Sequence, residues 1–217
     1  MRRLLIPLIA VVMMLGMVSV SQAFLMNFEE GLGKNGDQIT GISGVTFTTS
    51  GGKNWIYGDA TTGLYDVTSV DTNKVWGTGT FNIYGKVFAW LGSDGNWGRI
   101  DFDDKNGIWF QIGVSSTTDF TLTAYDEFGN VLDTATTGPC TRSEGYTDMA
   151  WLEVTAPAGS YISHVILSGS GSGWLVDMMS VDMAGGTTPV PEPATMLLLG
   201  SGLIGLAGIG CKKFKKS

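Results

Sequence analysis

Between Phe24 and Asp182 the apolar and aromatic residues come in runs of four to seven, broken by Gly, Asn, Asp or Ser, and no long segment keeps a helical period. That pattern confines the chain to short strands joined by tight turns. It predicts strands at Val45–Thr49, Trp55–Tyr57, Lys74–Trp76, Lys86–Leu91, Trp97–Phe102, Ile108–Val114, Phe120–Tyr125, Val131–Thr134, Met149–Thr155, Ile162–Ser168 and Trp174–Val181. Within Phe120-Thr121-Leu122-Thr123-Ala124, apolar and polar residues alternate, as in a strand with one face in a core. Asp94-Gly95, Asn106-Gly107 and Phe128-Gly129-Asn130 supply residues that tolerate the positive φ of hairpin turns, and together they predict an antiparallel meander. With no helix available as a cover, two sheets must hide their apolar faces on each other.

The ends of the chain are built differently. Met1–Ala23 opens with Arg2 and Arg3, continues apolar from Leu4 to Val18 and closes on Ser21-Gln22-Ala23, which predicts a secretory signal peptide cut after Ala23. At the other end, Gly185–Val190 reads as a flexible linker. Pro191-Glu192-Pro193 then breaks any incoming helix, and Ala194–Gly210 holds no charge, near the lower length limit for a membrane-crossing helix. Lys212, Lys213, Lys215 and Lys216 follow directly and would be kept on the cytoplasmic side, leaving everything before Pro191 on the far side. The predicted organisation is a signal peptide over 1–23, a β-sandwich domain over 24–184, a linker over 185–190 and a C-terminal signal over 191–217.

Tripeptide, short Gly-rich apolar span and basic cluster, in this order, closely resemble the PEP-CTERM sorting signal of Gram-negative bacteria, over Val190–Ser217. Cys211 departs from the small or basic residue expected at its place. The resemblance implies export by signal peptidase and the general secretion machinery and a transient inner-membrane anchor with the domain in the periplasm. It further implies recognition of Pro191, Glu192 and Pro193 by exosortase and delivery to the cell surface or exopolysaccharide matrix, as in biofilm formation.

Charge narrows the partners. Six of the thirteen basic residues lie in the terminal signals, so the exported part carries seven basic against twenty acidic residues. Such a balance disfavours nucleic acid and strongly anionic polymers, and it makes divalent cations, calcium above all, the natural ionic partners. The two cysteines, Cys140 in the domain and Cys211 in the tail, cannot staple the folded body, which leaves Cys140 buried and inert or open to intermolecular pairing.

Few residues are suited to chemistry. His164 is the single histidine, so any Ser-His-Asp or Cys-His mechanism or histidine-rich zinc site would have to run through it, and no Gly-x-Ser-x-Gly elbow or phosphate-binding loop is present. Asp101–Gly107 is rich in oxygen ligands but its glycine is misplaced for an EF-hand loop, and it reads as a charged hairpin turn. Phe28-Glu29, with Asp37, and the last strand's Asp177 and Asp182 are similar to a pattern in jelly-roll carbohydrate-binding and adhesion modules, where the two ends of the domain share a structural calcium. With about ten strands and no helix of any length between the terminal signals, the fold expected is an all-β, two-sheet antiparallel sandwich of jelly-roll or carbohydrate-binding-module type, flanked by an N-terminal signal helix and a C-terminal transmembrane helix. Seven tryptophans are many for one domain, and some must be core, the reading favoured for any given ring; Trp55 and Tyr57, or Trp97, beside turn residues, are the candidates for stacking on sugar faces.

The reading is thus a non-enzymatic exported protein with an adhesive or structural role at the cell surface or in extracellular polysaccharide. The alternative is a carbohydrate-binding module with a specific glycan ligand. A polysaccharide-acting enzyme would need a carboxylate pair, which the sequence does not single out.

Overall fold

A computed structural model describes residues 22–31, 33–92, 94–169 and 173–184. The bulk of the expected signal peptide (1–21), the expected linker and the whole sorting tail, with Cys211 and the four lysines, lie outside the described residues. Fourteen strands follow in chain order: β1 Gln22–Met26, β2 Val45–Thr49, β3 Ile56–Asp59, β4 Val67–Ser69, β5 Val75–Trp76, β6 Phe81–Ile83, β7 Val87–Trp90, β8 Trp97–Phe102, β9 Gly107–Ser116, β10 Phe120–Tyr125, β11 Val131–Thr137, β12 Ala150–Thr155, β13 His164–Gly169 and β14 Trp174–Met183. Among the described residues helix is limited to three short 3-10 segments. Among the described residues no helix is long and apolar enough to cross a membrane.

Two antiparallel sheets form the sandwich. One runs β12-β9-β14-β7-β3, with β1 also paired to β14; the other runs β11-β10-β13-β8-β2. The all-β sandwich expected from the sequence is what the chain forms. Its interior is one continuous apolar cluster in which Phe110, Ile112, Val114 and Val176 from the first sheet meet Phe47, Ile100, Leu122 and Leu167 from the second. Burying each such side chain contributes roughly 1.5–3 kcal/mol. The expected alternation of β10 holds residue by residue, with Phe120, Leu122 and Ala124 buried and Thr121, Thr123 and Tyr125 on the other face.

The connections differ from the expected meander. Of the three turns expected to close hairpins, Phe128-Gly129-Asn130 alone does so, between β10 and β11. Asp94-Gly95 and Asn106-Gly107 join strands in different sheets, because β8 pairs with β13 and β2 while β7 and β9 belong to the six-stranded sheet. Turn residues permit a reversal locally; whether the two strands then pair is decided by which apolar faces must meet across the core.

Strands β4 and β6, missed in the sequence because they are only three residues long, pair in parallel, and β5 joins them as a third small sheet. It packs on the outer face of the six-stranded sheet, where Val67, Ile83, Phe88, Met149 and Leu175 form a second apolar cluster. β1 was also missed. Its residues Gln22 and Ala23, assigned to the signal peptide by sequence, pair with Met183 and Asp182 of β14.

Candidate functional site

Of the three rings expected to face a sugar, two are structural. Trp55 is 0% exposed and Tyr57 3% exposed. The Trp55 indole donates its Nε1–H to the Thr48 carbonyl at 2.8 Å and packs edge-on against Phe47 and Trp174, at 5.5 and 5.9 Å between ring centres. Neither residue presents a face to solvent, so their place beside turn residues misled: the turn lies at the surface, but the rings point back between the sheets. Trp97, at the start of β8, is 37% exposed.

Trp97 belongs to the outer face of the five-stranded sheet. The small third sheet lies against β9 and β14, leaving this opposite face open among the described residues. Register places three rows across it: Trp97, Ser168, Thr121 and Thr136; then Thr48, Arg99, Ile166, Thr123 and Thr134; then Thr46, Asp101, His164 and Tyr125. The face is therefore rich in hydroxyls, with an aromatic at either end and an ion pair between. The Arg99 guanidinium grips Asp101 through Nε, at 2.8 and 2.9 Å, and through Nη2. Tyr125 stacks flat on the His164 imidazole, 5.0 Å between centres and 5° from parallel.

Arg99, Asp101, Tyr125, His164 and Ile166 line a hollow of about 570 Å³ at one end of this face, to which Lys105 and Phe128 also contribute. Phe128, in the β10–β11 turn, is 81% exposed and also borders a second hollow of about 220 Å³ with Ser160 and Tyr161. Large exposed rings at the rim of a polar hollow suit a ligand with both apolar and hydroxyl faces. Burial, reinforced by the nearby Arg99 cation, holds the His164 imidazole below its ordinary pKa, so it is neutral at neutral pH. Ser163 Oγ lies 2.8 Å from His164 Nδ1, but the serine is buried and is the adjacent residue on the strand. The grouping of Arg99 and Tyr125 with His164 escaped the sequence reading, because only strand register reveals that three separated segments share one face.

Two of the four acids of the expected calcium set, Asp37 and Asp182, stand apart from the other pair. Asp37 sits in an exposed turn and accepts the Lys34 N–H at 2.8 Å. Asp182 lies five residues beyond Asp177 along β14, opposite Trp109. Glu29 and Asp177 do approach each other, joined by Asp71, around the turn before β7. There Asp177 accepts the Tyr84 N–H at 2.8 Å, Asp71 accepts that of Gly85 at 3.0 Å, and Glu29 accepts those of Lys86 and Val87. Asp177 is 1% exposed, and burial, with Glu29 and Asp71 adding repulsion, pushes its carboxyl well above the ordinary carboxylate value. Among the described residues no group of three His, Cys, Asp or Glu is placed to hold a metal ion.

Cys140 is buried, its thiol pKa raised by desolvation. That agrees with the inert reading of this residue.

The fold thus defines an all-β sandwich with an open, hydroxyl-lined face. Residues 189–213 match the PEP-CTERM protein-sorting motif, which places this chain among proteins carrying that C-terminal signal. No curated protein matches the chain in sequence. Similar solved structures include a DUF4465 family protein from Bacteroides caccae, 13% identical, covering 74% of this chain and 98% of that one at a TM-score of 0.43. Another is a family 29 carbohydrate-binding module from Piromyces equi, 10% identical, covering 79% and 97% at 0.36. A third, TmCBM61 in complex with beta-1,4-galactotriose, is 12% identical and covers 71% and 92% at 0.35.

Proposed function

We propose that this chain is an exported protein, anchored transiently by its tail, processed by exosortase and placed at the cell surface or in the extracellular polysaccharide, where the sandwich acts without catalysis as an adhesive or structural module. The observation that carries the reading is the sorting motif at 189–213. The test is the intact mass of the protein from host cells, in membrane and extracellular fractions, with and without the sorting enzyme. A species running from Phe24 to the region of Pro191–Pro193, absent when the enzyme is deleted, is expected. Only full-length protein ending at Ser217 would make it a plain membrane-anchored domain.

A specific glycan ligand is the second reading, and the hollow on the five-stranded sheet favours it. Tyr125 and Phe128 offer rings to a pyranose, while Arg99 and Asp101 offer donors and acceptors to its hydroxyls; Trp97 and the threonine hydroxyls lie further along the same sheet face. Saturable retention on a glycan array, weakened in Tyr125→Ala, would support it; turnover of any polysaccharide abolished by replacing a single carboxylate would replace both readings with an enzyme.

A further inference from the structure

The outer face of the six-stranded sheet carries a second aromatic platform, on the opposite side of the sandwich from the hollow. Trp151 on edge strand β12 is 41% exposed, and its register partner on β9 is Gly113. No side chain therefore rises beside the indole on that strand. The space over Gly113 is filled by the Asp177 carbonyl and the Met149 side chain, 2.8 and 3.1 Å from where a Cβ would stand, so the exposed indole borders closely packed atoms. Tyr84 closes one side, its ring 6.0 Å from that of Trp151 and tilted by 48°. Its hydroxyl is fixed by donation to Asp148 Oδ1 at 2.8 Å, and burial together with Asp148 pushes its pKa up to about 12, so the phenol stays protonated at any physiological pH.

Register extends the platform. Along the same face, Glu153 lies opposite Gln111, which lies opposite Ser180, and the next row brings Thr155, Trp109 and Asp182 together. Trp109 and Trp151 are separated by four strand positions, roughly 13 Å along the strand, far enough to engage different sugar residues of one chain. Between the rings stand the Gln111 amide, the Ser180 hydroxyl and the Glu153 carboxylate, all suited to sugar hydroxyls. None of these register-aligned outward positions on β12, β9 or β14 is Lys or Arg.

We propose that this face is a second glycan-binding site, taking a polysaccharide chain free of acidic groups, so that one domain can hold two chains on opposite faces and cross-link them. Charge selects the occupant. A second copy of this domain related by a two-fold axis would set Glu153, Asp148 and Asp182 against their own kind, and a uronate or sulfate polymer would meet the same acids. A neutral or amine-bearing pyranose chain meets rings for its apolar faces and acceptors for its hydroxyl or ammonium groups. Two sites on rigidly opposed sheets turn modest single-site affinities into network formation. This goes beyond the proposed surface role, which needs no second site.

The test uses the mature protein from host culture in native gels cast with hydroxyethylcellulose, chitosan or alginate, with viscosity of the same mixtures as the cross-linking readout. Wild type is expected to be retarded by hydroxyethylcellulose or chitosan but not alginate, and to thicken the retarding polymer. Trp151→Ala should weaken retardation, with the affinity of its face falling roughly tenfold, and should abolish thickening, while Trp151→Tyr restores both. Tyr125→Ala should likewise abolish thickening but leave binding through Trp151, and Tyr125→Ala with Trp151→Ala should not bind. Unchanged near-ultraviolet circular dichroism identifies variants that remain folded. If Trp151→Ala binds and thickens like wild type, or Tyr125→Ala alone removes all binding, the second site is refuted while the glycan reading of the hollow stands. Absence of retardation by hydroxyethylcellulose and chitosan in wild type overturns the inference but leaves the mass-based sorting test untouched.

Discussion

Replacing Trp55 by Phe separates a core role from a ligand role in one residue. The substitution keeps an aromatic ring in the site but removes the donor to the Thr48 carbonyl and the indole's second ring, which packs between Phe47 and Trp174. A buried carbonyl deprived of its partner costs about 1–3 kcal/mol. The cavity left by the smaller side chain adds roughly 1 kcal/mol at the usual cost per unit volume. The sum, about 2–4 kcal/mol, corresponds to a fall in Tm of roughly 5–15 °C for a domain of this size. Urea unfolding followed by tryptophan fluorescence measures it, with an unchanged m-value showing that the denatured state is not responsible. Glycan retention of the folded variant should match wild type. A Trp55→Phe protein as stable as wild type but defective in retention would refute the placement of this ring in the core and restore it as a binding residue.

Asp177 should make stability depend on pH in the direction opposite to a salt-bridged acid. Its folded pKa is raised above the unfolded value, so its contribution is greatest below pH 4 and declines as pH rises from there to the folded pKa. Urea unfolding at pH 5 and pH 8 should show a larger loss for wild type than for Asp177→Asn; equal slopes would refute the buried-acid assignment. Cys140, buried with a raised thiol pKa, should react with a thiol reagent only on the timescale of unfolding in native buffer and at once in urea. Rapid native labelling would show the site to be open.

Much of this protein could be read before folding was considered. Sorting is written locally: Pro191-Glu192-Pro193, the apolar span and the lysines act by order along the chain, so sequence suffices to recognise them. Strand identity is local as well, since alternation in β10 or β8 reports directly on which side of a sheet each residue takes. Strands as short as β4 and β6 leave too few positions for a period to show. What tertiary structure alone decided is who stands beside whom. Asp94-Gly95 looks the same in sequence whether the chain reverses within a sheet or crosses to another, and only the pairing of β8 with β13 settles it. Trp55 and Trp151 are both strand-associated rings, yet one closes the core and the other faces water. Arg99, His164 and Tyr125 become one surface through hydrogen-bonded register between segments dozens of residues apart. Local composition fixes the conformation each segment favours, but the partner and the buried face of each segment are set by the packing of the whole core, which no single segment contains.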